Sequence, residues 1–95
     1  MRNRYLIAYD ASDDKRRNCL FKALMGNGDH VQFSVFMCDL SDVELARLKG
    51  QLARAVNHRQ DQVIILSLGP ADQAMESRLE CIGKAYCPPS RVMVV

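Results

Sequence analysis

The stretch His30-Val31-Gln32-Phe33-Ser34-Val35-Phe36-Met37-Cys38-Asp39-Leu40 decides the fold. In extended chain, successive side chains point to opposite faces. Val31, Phe33, Val35 and Met37 then share one consistently apolar face, and Gln32, Ser34, Phe36 and Cys38 share the other. The spacing fits one long strand or a tight hairpin with a bulge at its middle, and it does not choose between them.

Working outward, Tyr5-Leu6-Ile7-Ala8-Tyr9 is an unbroken apolar run, as expected of a central strand covered on both faces. It ends at Asp10-Ala11-Ser12-Asp13-Asp14. Ser12 is the expected cap of a first helix, with Asp13 and Asp14 in the first turn, where negative charge suits the helix dipole. Leu20, Phe21, Ala23, Leu24 and Met25 supply its apolar stripe. Gly26-Asn27-Gly28 stops it with residues that tolerate left-handed backbone. Downstream, Ser41-Asp42-Val43-Glu44 has the form of a capping box. It opens a second helix with core positions Leu45, Leu48, Leu52 and Ala55 or Val56, and Asn57 is the expected left-handed terminator. Residues 62–68 read as the next strand, closed by Gly69-Pro70. Residues 78–84 alternate again as a short strand. Cys87-Pro88-Pro89-Ser90 then turns the chain toward a last apolar run, Val92-Met93-Val94-Val95.

If residues 30–40 form a hairpin, the class is α+β: a ferredoxin-like βαββαβ sandwich with an extra C-terminal strand. Both helices then lie on one face of the sheet. The other face is bare, although the first strand and residues 63–68 are apolar on both sides. Folding the tail back over its own sheet would cover part of it. The favoured expectation is a face-to-face homodimer, with the tail strand pairing on the partner, because two-fold dimers are the commonest assemblies and open edges are rarely left exposed.

Ninety-five residues fit one domain. We divide them into a ferredoxin-like unit, 1–84, and a linker and strand, 85–95. An apolar fraction of 48% with 25% charged residues excludes low-complexity and disordered classes. The net charge of +2 identifies no partner by itself. The start of the chain is too short in apolar residues for a signal peptide, and no run approaches a membrane span, so a cytoplasmic location with no membrane partner is expected. Cys19, Cys38, Cys81 and Cys87 show no CxxC spacing and are most simply read as small, reduced core residues.

Chemistry concentrates after the first strand. Asp13 and Asp14 are explained by the helix start alone, whereas Asp10 has no such role. One carboxylate holds Mg²⁺ weakly, but Mg²⁺ commonly uses one or two carboxylates with waters and phosphate oxygens. A two-fold axis near Asp10 would supply the second. Lys15, Arg16 and Arg17 fan across the helix start, where a solvated surface and a phosphate-facing role are both readings. Phe36 packs against a partner sheet or, less simply, stacks on a base. His30 and His58 stand without a nucleophile arrangement and are assigned no catalytic role.

Two motifs, residues 5–17 and residues 31–40, together resemble the family of CRISPR-associated protein two, and the match continues in order and spacing from residue 3 to about 84. The resemblance implies the ferredoxin-like fold, so residues 30–40 should break into two strands. It also implies a homodimer with exchanged C-terminal strands. The implied role is CRISPR adaptation in antiviral defence: binding double-stranded DNA and scaffolding the CRISPR integrase subunit during spacer acquisition. Some members are reported as metal-dependent endoribonucleases on single-stranded RNA or as double-strand DNA nucleases, and others as inactive. The family's metal aspartate falls on Asp10, which would hold Mg²⁺ or Mn²⁺, and its supporting residues fall on Tyr9, Arg17 and Phe36. Cys19 and His30 stand where other members carry basic residues. An alternative is a toxin-like ribonuclease of similar fold, for which no antitoxin-binding feature is legible.

Overall fold

The structure is a computed structural model that describes residues 1–86. β1 (Asn3–Asp10) leads into α1 (Asp14–Met25), then β2 (Asp29–Gln32), β3 (Val35–Leu40), α2 (Asp42–Ala55) and β4 (Gln62–Pro70). One antiparallel sheet has the order β2-β3-β1-β4, the ferredoxin-like arrangement.

Residues 30–40 are therefore a hairpin, with Phe33 and Ser34 at its tip. Its pairing runs Asp29↔Met37 and His30↔Phe36, then slips so that Gln32 faces Val35. Val31 is the extra residue of a β-bulge. No non-glycine residue among those described has positive φ, so the tip lacks the mirror-image turn that best matches strand twist, and the bulge takes up the difference.

The hairpin reverses the expected faces of β3. Phe36, Cys38 and Leu40 point toward the helices and are buried, and Val35, Met37 and Asp39 lie on the opposite face. Gln32 and Ser34 had made the Phe36 face look polar, but they sit at the hairpin's end and not along a continuous strand. With Tyr5 and Ile7 of β1, Leu20 and Leu24 of α1, and Leu48 and Leu52 of α2, these residues form the core. Both helices thus cover one face.

Several end signals differ from expectation. Asp13, not Ser12, caps α1: its carboxylate accepts from the Arg16 amide at 3.0 Å. Either residue can cap, and the backbone leaves β1 one residue later than the sequence suggests. Ser41 and Glu44 do form the reciprocal capping box of α2. Neither Gly26, Asn27, Gly28 nor Asn57 is left-handed. Gly28 is required for space, since a β-carbon there would lie 2.6 Å from the Met37 carbonyl oxygen and closer still to Cys38 Sγ. Asn57 instead accepts from the amides of Arg59 and Gln60, an Asx turn. Gly69, at φ +89°, sits where the β1–β4 pairing slips.

Residues 78–84 are not a strand. The chain past β4 makes a single 3₁₀ turn, Met75–Ser77, and then runs irregularly. Alternation becomes a strand only where a neighbour takes its backbone hydrogen bonds, and none of the described strands pairs with this segment. Of residues 85–95, only 85 and 86 are described, and they are not strand; the rest of the expected C-terminal strand lies outside the described residues. Among the described cysteines, Cys38 alone meets the core reading. Cys19 and Cys81 are exposed, and Cys87 lies outside the described residues.

Candidate metal and nucleic-acid site

Asp10 is the last residue of β1 and is exposed. It pairs across to Gln62 at the start of β4. Alternation along β1 puts it with Arg4, Leu6 and Ala8 on the face that the helices do not cover. Beside it on that face stand Ile64, Leu66 and Leu68 of β4, each about half exposed.

Asp10 also borders a cleft of about 610 Å³ at the end of the sheet, between the β1–α1 turn, the start of α1 and the tip of the β2–β3 hairpin. Tyr9, Arg17, Asn18, His30, Phe33 and Ser34 contribute to its walls. Arg17 NH1 donates to the Ala11 carbonyl at 2.9 Å, and its guanidinium pairs with Asp14, so it holds the β1–α1 turn in shape while its side chain stays 40% exposed. Tyr9 is half-buried, and burial pushes its phenol above the ordinary range, with Arg17 pulling the other way. At neutral pH it is therefore a hydroxyl that donates or accepts, not a phenolate.

Phe36 does not reach this cleft. It is fully buried, stacked against His30 at 4.8 Å and Tyr9 at 6.3 Å, with Phe21 edge-on at 5.7 Å. Stacking on a base and packing against a partner sheet are both corrected: Phe36 is the floor on which Tyr9 and His30 rest. Arg16 is corrected too. Its guanidinium makes a bidentate pair with Asp61, Nε to Oδ2 at 2.6 Å and NH2 to Oδ1 at 3.3 Å, and also reaches Gln60. Its charge is already matched, which leaves little of it for a phosphate. Lys15 is exposed and pairs with no described carboxylate.

The structure thus gathers Tyr9, Asp10 and Arg17, sets Phe36 behind them, and turns Arg16 away. Phe33, Ser34, His30 and Asn18 were missed. Their signal was the hairpin itself, which carries Phe33 and Ser34 back to the end of β1, where the Tyr9 amide donates to the Ser34 carbonyl at 3.1 Å. No group of three or more His, Cys, Asp or Glu side chains that could hold a metal exists among the described residues. A cation here would rest on one carboxylate per chain, a donor set of hard oxygen that suits Mg²⁺ with waters and phosphate.

The profile of the family described as CRISPR associated protein Cas2 matches residues 2–75. The chain belongs to the Cas2 family. Its sequence is 35% identical over 95 residues to a CRISPR-associated endoribonuclease Cas2 of Geobacter sulfurreducens, covering 100% of this chain and 99% of the relative. It is 45% identical over 71 residues to one of Thermus thermophilus, covering 74% and 76%. Among solved structures, a hypothetical protein of Thermus thermophilus superposes with a TM-score of 0.77 at 32% identity, covering 94% of this chain and 100% of that one. Streptococcus pyogenes Cas2 superposes at 0.73 with 26% identity, covering 84% and 99%. No described helix is long and apolar enough to cross a membrane.

Proposed function

We propose that this Cas2 protein serves CRISPR adaptation as a homodimeric, metal-dependent endoribonuclease, with Asp10 of each subunit as the metal ligand. The observation that carries the reading is the position of Asp10. It is an exposed carboxylate with no hydrogen bond or ion pair among the described residues, at the edge of an apolar sheet face on which Ile64, Leu66 and Leu68 stay about half exposed. A second copy seated on that face would bring two such carboxylates toward a shared axis. A relative that covers the chain's full length carries the name endoribonuclease, which supports the reaction class.

Mg²⁺ or Mn²⁺, when bound, would polarise the phosphodiester and help generate hydroxide. Arg17 offers its remaining N–H groups to a phosphate oxygen beside Asp10, and Tyr9 offers a neutral hydroxyl. Phe36, stacked on Tyr9, keeps it in place. The exposed Lys15 adds charge along an approaching backbone. The same unpaired cation favours a companion role, carrying duplex DNA to the CRISPR integrase subunit, in which cleavage is not needed.

The test is Asp10→Asn, which keeps the side chain's size and removes its charge. Mg²⁺-dependent cleavage of single-stranded RNA should fall at least a hundredfold while the variant unfolds at the wild-type temperature. Cleavage at the wild-type rate by a contaminant-free variant would refute the metal role. Spacer integration that survives the same substitution would assign the scaffold role separately from the nuclease.

A further inference from the structure

We infer that the cleft at the end of the sheet is a nucleobase subsite, with Phe33 as the ring on which an unpaired base stacks. The inference deepens the nucleic-acid reading above and rests on it: it names where a base sits relative to Asp10.

Phe33 is 86% exposed at the tip of the β2–β3 hairpin. A single exposed apolar side chain is ordinary. This one is distinguished by how it is held and by what surrounds it. His30 Nε2–H donates to the Phe33 carbonyl at 3.0 Å, and the Tyr9 amide donates to the Ser34 carbonyl at 3.1 Å. Both tip residues are therefore anchored to the sheet. His30 is itself clamped, stacked on Phe36 and edge-on to Phe21 at 5.3 Å. The ring stands out from a fixed backbone, so stacking has only the ring's own torsions to order and not the hairpin.

The cleft beside it has the size of a small-ligand site, about 610 Å³. Its lining combines two rings, Phe33 and Tyr9, with an amide residue, Asn18, a cation, Arg17, and Asp10 at its border. A nucleotide fits that combination: a ring face for the base, an amide for its edge, and a cation for the phosphate that must lie near Asp10. An apolar peptide would leave Asn18 and the remaining N–H groups of Arg17 unmatched. Every base has a stackable face, so the subsite tolerates sequence. It discriminates against duplex, whose bases are already stacked on each other.

The test measures binding with chemistry removed. Anisotropy of a fluorescein-labelled single-stranded RNA is followed in EDTA on the Asp10→Asn background. Phe33→Ala should weaken this binding about tenfold, the scale of one lost base–aromatic stack. Affinity for a duplex RNA of the same length should not move, and Phe33→Tyr should restore binding to the single strand. Equal affinities for Phe33→Ala and its parent would overturn the inference. So would an equal loss on single strand and duplex, or a loss that Phe33→Tyr leaves unrepaired. A wild type that binds through Phe33 yet never cleaves with Mg²⁺ supports the subsite and sinks only the nuclease.

Discussion

Phe36 makes ring contacts with Tyr9, Phe21 and His30 and has no solvent exposure, so its size is what the surrounding residues are built around. Phe36→Ala should cost about 3–5 kcal/mol in urea unfolding, through lost transfer energy and the cavity left behind. A loss under about 1 kcal/mol would mean that the ring is not core. At this scale the sequence was partly readable. Asp10 stands out in the sequence because no capping role accounts for it, and the structure leaves it exposed at the end of β1. Phe36 was misplaced because its apparent neighbours, Gln32 and Ser34, are polar. Burial of Cys38 pushes its thiol up to about 11, with Asp29 and Asp39 adding to the effect, so it is inert as a nucleophile at neutral pH.

Among the elements, the start of α1 is tied to the loop after α2 through one carboxylate. Asp61, its side chain fully buried, accepts from Arg16 Nε and from the Asn57 amide at 2.8 Å. The Arg16 guanidinium, then the Asn57 amide, hold its carboxyl below the ordinary value of 3.8. Its contribution to stability is therefore complete above that pH and is lost as the pH falls through the lower folded value. Glu44 behaves alike, held down first by the Ser41 amide in the capping box. Asp61→Asn should lower the unfolding temperature at neutral pH and flatten the acid limb below pH 3.8, with Glu44 supplying what remains. A thermal-unfolding titration with an unchanged acid limb would contradict this.

The box at Ser41 and Glu44 could be read from four letters because its chemistry is local. The Asp61 link could not, because it joins residues 45 apart and nothing near Asp61 in the chain marks it as buried. The hairpin tip at Phe33-Ser34 lacks the Gly or Asn that usually announces a turn. There the motif resemblance carried what periodicity left open. The alternation over residues 78–84 misled for the opposite reason: the pattern is present, but none of the described strands pairs with it.

For the molecule as a whole, the sheet has one face sealed by two helices and another that presents Ile64, Leu66 and Leu68 about half exposed beside Leu6, Ala8 and Met37. An apolar face this continuous is characteristic of an interface. A second copy is the occupant that also gives Asp10 a matching carboxylate, so assembly and metal binding are one claim. Sedimentation equilibrium tests it most directly. The wild type should sediment at twice the 10.7 kDa of one chain, and Leu66→Lys, which puts a charge on the bare face, should shift it toward a single chain. A wild type that stays at 10.7 kDa at the concentrations where it cleaves RNA would contradict the account.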